Sequence, residues 1–484
     1  MRKKSAPRTW VVFASALLLP ATFLLLLLTG ETPATAGGPL VVGGTLGQEG
    51  VPFRWDTSLG EVGYRTDGGS LGVLTNKKAN AWVREMFQVW EDVPTAKIGF
   101  TRQGPIQGIA DGDVSTVNEF DKVVGACENA TQSPIIYDAN GSLFNSLFGP
   151  GSGVLGFAGP CSVGAEGDIL AALVAMNGAF RDKKRSNGEL TKNEFKAVFI
   201  HEFGHFFGLD HAQINVNCLE GDSGGCFSGS DDAFGLPTMF PILIGGLEET
   251  PGVYPARTLA VDDVAWVSRL YPEASFGGSY GTISGTIFFS DGVTAAQGVN
   301  VIARRFNDPA TPDHESRRQA VSTVSGYLFT GNPGQSVTAT YLPCSPASAC
   351  PGGFFDNNSG GSPFGSRDPQ LIGTFDIPVP PGAYTVEVEW VAFAGGSSVG
   401  PLDPPLYFWP RAKDFWDPGE SNADSSIERG LIAVGAGETV TGINIILNGT
   451  PPRFDPWESA YLGGWHGLFN WIAGKVSGGA GALV

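Results

Sequence analysis

Residues 201 to 211 read HEFGHFFGLDH and hold three of the five histidines in a chain of 484 residues. No other stretch restricts the fold so tightly. Just before it, Thr191 and Glu194 stand at the T-x-x-E spacing of a capping box, which predicts a helix start. Phe195, Val198, Phe199 and Phe206 supply that helix with apolar surface. Four residues turn a helix by about 400° and raise it about 6 Å, so His201 and His205 leave the same face one turn apart. Two imidazoles so placed can share one ion. Glu202 is offset from that pair and can reach a water on the ion's open side.

His211 adds a condition. In an unbroken helix it would lie about 15 Å along the axis from His201. That is out of reach of an ion with bonds of about 2 Å. Gly208 resolves the conflict, because a residue without Cβ enters the left-handed region and turns the chain back. The spacing H-x-x-x-H-x-x-G-x-x-H therefore predicts three imidazole ligands and one vacant position. Neutral imidazoles in tetrahedral geometry suit zinc, and three protein ligands with an open position are the catalytic arrangement. A lone histidine on a helix is more often a surface or core residue. Several fixed positions matching together, with a cap before and a glycine after, distinguish this stretch.

The rest of the chain bounds the setting. Its formal net charge of −18 repels phosphate backbones and anionic lipid, which argues against nucleic acid as a partner. MRKK, a long apolar run and Ala34–Ala36 predict a signal peptide over residues 1–36. The expected location is extracellular, with no stable membrane span after cleavage; the alternative is an uncleaved anchor. None of the six cysteines forms a C-x-x-C pair. Shortest-loop pairing gives 127–161, 218–226 and 344–350.

Residues 37–50 read as a Gly-rich lead, with ordered structure expected from about residue 51. A helix follows, capped by Thr75 or Asn76, with Trp82, Met86, Val89 and Trp90 on one face. Residues 96–102 alternate like a strand. Residues 103–153 read as loop-rich. DGDVSTVNEFD and DANGS there are loosely similar to calcium loops, but the first lacks Gly at its sixth place and Glu at its twelfth. Calcium is accordingly an expectation secondary to solvated turns. VLGFAGP (154–160) and DILAALVAMNGAF (168–180) read as two more strands, and the first is either an edge strand open to a peptide or an interior one. Phe206 and Phe207 read as core. From residue 277 short alternating runs predict an all-β sandwich over 277–449, including GYLFT (326–330) as a strand. Residues 307–320 and 331–370 read as polar inserts, and 450–484 as an aromatic, Gly-rich tail.

With these motifs in hand, HEFGHFFGLDH resembles the zinc signature of the metzincin peptidases. Met239 in LPTMFP looks like their Met-turn methionine, a floor beneath the metal. LAVDDVAWVSRLYP (259–272) is similar to the last helix of the matrixin branch. The resemblance covers residues 51–273. It implies a metzincin-like α+β catalytic domain, with a twisted mixed sheet and an active-site helix. His201, His205 and His211 would hold one catalytic Zn2+, with Glu202 as general base. The implied activity is that of a secreted zinc endopeptidase acting on extracellular protein or peptide substrates. The other histidines, His314 and His466, lie outside this region, so no second histidine-built zinc is implied within it. GTISGTI, GVNVIARR, GYLFT and PPGAYTVEVEW resemble the regulatory-like sandwich appended to some carboxypeptidases, a likeness silent on role. The alternative reading is an extracellular binding or adhesion protein whose peptidase domain is vestigial.

Overall fold

The structure, a computed structural model, describes residues 37–44, 46–184, 188–212, 214, 235–244, 255–296, 298–307, 315–329, 365–366, 368–389, 414–425, 428–449 and 481–483. It is a mixed α/β molecule with several sheets. The proposed signal peptide, Cys218, Cys226, Cys344, Cys350, His314 and His466 lie outside the described residues.

Strands β1 (Val62–Thr66), β2 (Phe100–Pro105), β3 (Pro134–Asp138), β4 (Gly156–Val163) and β5 (Ile169–Asn177) make one sheet, ordered β2-β1-β3-β5-β4. The first four in that order run parallel, and β4 returns antiparallel along the edge. Central parallel strands are buried on both faces, and here successive residues serve two different cores. Ile135, Tyr137, Ala172, Val174 and Met176 pack with helices α1 (Asn76–Glu91) and α4 (Lys192–Phe206). Ile136, Ala171, Leu173 and Ala175 pack with α2 (Val117–Glu128) and α3 (Ser142–Phe148). A Cys127–Cys161 disulfide ties α2 to β4, the pairing expected from the shortest loop.

Several expectations need correction. Residues 103–153 are not loop-rich, since they carry α2, β3 and α3. Thr116 and Glu119 form a capping box, and Phe120, Val123, Val124 and Cys127 give the helix a buried stripe. The second half of DGDVSTVNEFD is thus helix rather than loop. In DANGS the Asp138 carboxylate accepts backbone N–H groups of Asn140, Gly141 and Phe144, which closes a turn. The strand expected over 96–102 starts only at Phe100, and Ala96 makes an isolated bridge to Pro272. On α1 the buried stripe is Ala79, Val83, Met86, Phe87 and Trp90, with Trp82 and Val89 only partly covered. Ordered chain begins before residue 51: Leu40, Val41 and Val42 are buried, and Phe53 N–H donates to the Val41 carbonyl at 2.9 Å.

After β6 (Ile242–Ile244) the last helix of this half, α5 (Val261–Leu270), leads into the second half. There β7 (Gly281–Phe288) pairs antiparallel with β10 (Thr374–Val379) and parallel with β14 (Thr439–Val440) and β15 (Ile445–Ile446). A second sheet takes β8 (Asn300–Phe306), β9 (Glu315–Val324), β11 (Gly382–Glu389) and β12 (Asp414–Phe415) in the order β12-β11-β8-β9, and β13 (Ile432–Val434) also pairs with β11. Ile283, Ile287, Phe375 and Ile377 from the first sheet and Val301, Ala303, Val386 and Val388 from the second share one core. β9 occupies part of the stretch expected to be a polar insert, and residues 326–329 of GYLFT form a turn and bend rather than a strand. The tail returns as β16 (Gly481–Leu483), antiparallel to β6.

Helix α5 joins the two halves. Trp266 Nε1 donates to the Ser322 carbonyl at 2.8 Å, Ser322 N–H donates to Asp262 Oδ1 at 2.7 Å, and Arg269 pairs with Asp376. Among the described residues no helix is long and apolar enough to cross a membrane.

Candidate metal centre

Helix α4 begins where its sequence predicts. Thr191 Oγ1 accepts the Glu194 N–H at 3.2 Å, and Glu194 Oε2 accepts the Thr191 N–H at 2.7 Å. Its flank is fixed by aromatic packing against α1. The Phe87 and Phe203 rings stack at 3.8 Å, and Trp90 Nε1 donates to the Ile200 carbonyl at 3.0 Å. Truncating such a ring costs about 3–5 kcal/mol, so the helix is held firmly in place. Phe206 and Phe207 are both fully buried core residues, as expected.

The helix ends at Phe206, and Gly208 takes φ +93°, the left-handed region that the third histidine requires. Carbonyls freed at the helix end find donors. Trp55 Nε1 reaches the Phe206 carbonyl at 3.1 Å, and the Tyr271 hydroxyl reaches that of Phe207 at 2.5 Å. The lead clamps the returning chain. Leu40 N–H donates to the Gly208 carbonyl and Gly37 N–H to that of His211, both at 2.7 Å, while Asp210 N–H donates to the Gly38 carbonyl at 3.0 Å.

These elements bring the three imidazoles together. His205 Nε2 lies 3.1 Å from His201 Nε2 and 3.1 Å from His211 Nε2. His201 Nδ1 lies 2.8 Å from the Thr238 carbonyl oxygen, and His205 Nδ1 lies 2.8 Å from that of Leu209. A carbonyl only accepts, so both Nδ1 atoms carry the hydrogen. Both Nε2 atoms of these neutral rings then present lone pairs. Two lone pairs facing at 3.1 Å are not a hydrogen bond. They are the arrangement of ligands about a cation. In a tetrahedron with bonds of about 2.0–2.1 Å the ligand nitrogens stand about 3.3–3.4 Å apart. The donor set and its spacing therefore fit zinc.

Burial keeps the imidazoles neutral, as ligands must be. Desolvation lowers His201 and His211 well below the usual histidine range, with neighbouring histidines adding to the effect, and brings His205 down to about 4. This sets a pH dependence for the metal-free protein. A histidine depressed in the fold contributes stability that is complete above its unfolded pKa, about 6.5. That stability is lost as pH falls toward about 4. Thermal melts in chelator should show a lower midpoint at pH 5 than at pH 7, and a His205→Gln variant should lose less over that interval. Equal midpoints for both proteins at both pH values would contradict the burial argument.

Glu202 lies on the same helix, fully buried, and neither carboxylate oxygen has a hydrogen-bond partner among the described residues. Desolvation pushes this carboxyl well above its ordinary range. The edge strand β4 passes directly over it: a Cβ added to Gly156 would come within 2.6 Å of Glu202 Oε1. A carboxylate that is buried, unpartnered and beside three converging imidazoles is placed to exchange a proton with a water or substrate there.

Met239 sits beneath the helix with its sulfur against Gly204, and its carbonyl accepts the Ala212 N–H at 2.8 Å. The turn that carries it is held by a residue the sequence had not singled out. Asp263 of α5 accepts N–H groups from Thr238 (2.9 Å), Ala260 (2.7 Å) and Met239 (3.0 Å). Burial lifts its carboxyl to about 6 against the pull of those donors. Through Thr238, Asp263 orients His201, the kind of outer support that fixes a ligand's tautomer and direction.

Comparison with protein-family models, with curated proteins and with solved structures finds no significant match to this chain.

Proposed function

We propose that this chain is a zinc-dependent endopeptidase of metzincin, matrixin-like type, exported by its N-terminal segment, with a β-sandwich as its second half. The observation that carries the proposal is the convergence of His201, His205 and His211. Their Nε2 atoms meet at 3.1 Å, and backbone carbonyls fix two of the rings so that lone pairs face inward. The resemblance of HEFGHFFGLDH and of Met239 in LPTMFP to metzincin motifs adds support.

Zinc held by three imidazoles supplies a Lewis acid for a peptide carbonyl and lowers the pKa of a water toward about 7. The chain's own groups do the rest. Glu202 removes a proton from the attacking water, and its oxygen bonds to the scissile carbonyl carbon. The carboxyl, raised by burial, keeps that proton until the C–N bond breaks, then delivers it to the leaving amine. Strand β4 lies at the sheet edge above Glu202, and an extended substrate can add to it as a further strand. Met239, its sulfur against Gly204, supports the helix that carries His201 and His205.

The test is cleavage of casein or gelatin by the purified protein. Activity should disappear with a zinc chelator and return with added zinc. Zinc-loaded protein that cleaves neither these nor a peptide library would refute the enzyme reading and favour an extracellular binding protein.

A further inference from the structure

We propose that Asp417, Glu420 and Asp424, in the loop between β12 and β13, form a calcium site. This loop reads DFWDPGESNADS over residues 414–425. One oxygen from each of the three carboxylates lies within 4.8 Å of the other two. Calcium bonds of about 2.3–2.6 Å span such a spread. Asp417 is only 8% exposed, and its Oδ2 is shielded from water with no hydrogen-bond partner among the described residues. Asp417 Oδ1 accepts the Gly419 N–H, and the carboxylate stands among those of Glu420 and Asp424, with Asp414 close enough to act on Glu420. Among the described residues none of the four is ion-paired with lysine or arginine. Burial and the neighbouring carboxylates push Glu420 up to about 8 and Asp414 up to about 6, a cost that a bound cation relieves without protonation.

The other oxygens are held ready. Glu420 accepts the N–H of Asp417 at 3.1 Å and that of Ile446, in β15, at 2.8 Å. Asp424 accepts the Ser421 N–H at 3.0 Å and the Asn448 amide at 2.6 Å. Asp414 accepts the Asn448 N–H at 3.0 Å. Carboxylates that receive N–H donors this way are acceptors with lone pairs to spare. The ligands are all oxygen, with no imidazole or thiolate, which selects a hard cation over zinc. An ion bound there locks the loop to the final strand of the second half. These residues are separate from the histidine cluster, so this site stands or falls independently of the peptidase reading.

The test uses full-length, zinc-loaded protein titrated with calcium chloride. Calorimetry should give saturable binding with a dissociation constant on the order of 0.1–1 mM, the range of extracellular calcium modules. Asp417→Asn and Asp424→Asn should each weaken it about tenfold or more, because a ligand charge is lost. Their zinc content should stay at the wild-type level. Terbium gives a second readout that does not depend on those variants folding. Bound beside Trp416, it should emit when the indole is excited, and Trp416→Phe should dim the emission while leaving calcium affinity intact. Three results would overturn the proposal: no calcium heat together with no sensitised terbium emission, unchanged affinity in both Asn variants, or magnesium binding as tightly as calcium.

Discussion

Glu202→Gln is expected to bind zinc as the wild type does and to lose about 100- to 10,000-fold in kcat on a peptide substrate, the usual worth of a positioned acid–base group. The amide is nearly isosteric with the carboxylate it replaces. It removes no metal ligand, and both Glu202 oxygens lack hydrogen-bond partners among the described residues, so no bond of the fold is broken. Burial already favours the neutral form of the Glu202 carboxyl, so a neutral amide changes the charge at this position little. Stability should therefore change little while turnover collapses. A variant that keeps wild-type kcat would remove Glu202 from the chemistry; one that loses zinc as well would mean the carboxylate shapes the metal site itself.

Asp263→Ala should be the most damaging change outside the histidines. It strips acceptors from three backbone N–H groups, those of Thr238, Met239 and Ala260. Each buried donor left unsatisfied costs about 1–3 kcal/mol, so a loss of several kcal/mol is expected. The effect should not stop at stability. The Thr238 carbonyl orients His201, and loss of such outer support weakens metal affinity about 10- to 100-fold. Urea unfolding and zinc titration of the folded variant measure the two effects separately. Asp263→Asn keeps one acceptor oxygen and should fall between. Wild-type midpoint and wild-type zinc affinity in Asp263→Ala would show that the turn carrying Met239 holds without it.

The candidate site was legible because its proposed ligands are local. His201, His205 and His211 lie within eleven residues, and helix geometry alone predicts where two of them point. Gly208 then marks the turn by its chemistry. What supports the three imidazoles was not legible, because it arrives through space. Asp263 reaches the site from another helix, and nothing in LAVDDVAWVSRLYP shows that one of its two aspartates caps a distant turn. The lead over residues 37–42 was misread for a related reason. It has glycines and no periodicity, and it is ordered by backbone bonds to residues 208–211 that leave no mark on side-chain pattern.

Other misses had a signal that a competing motif hid. Helix α2 opens with Thr116-x-x-Glu119, the same capping box that located α4, yet its acidic start resembles a cation loop. Its stripe of Phe120, Val123, Val124 and Cys127 settles the matter by helical spacing. Strand β9 looked like an insert because Ser316, Arg318 and Gln319 are polar. Ser322 turns out to be buried against Asp262 and Trp266, a contact between the two halves of the chain. The Cys127–Cys161 disulfide joins cysteines 34 residues apart, as expected, and the other two expected pairings lie outside the described residues.

Counting metal in folded protein tests the central claim most directly. Elemental analysis should find one zinc per chain in the purified wild type and none in a folded His205→Ala variant, since His205 Nε2 faces both other imidazoles. Correctly folded wild type without stoichiometric transition metal, even after exposure to zinc, would contradict the account, as would a His205→Ala variant that retains the full complement.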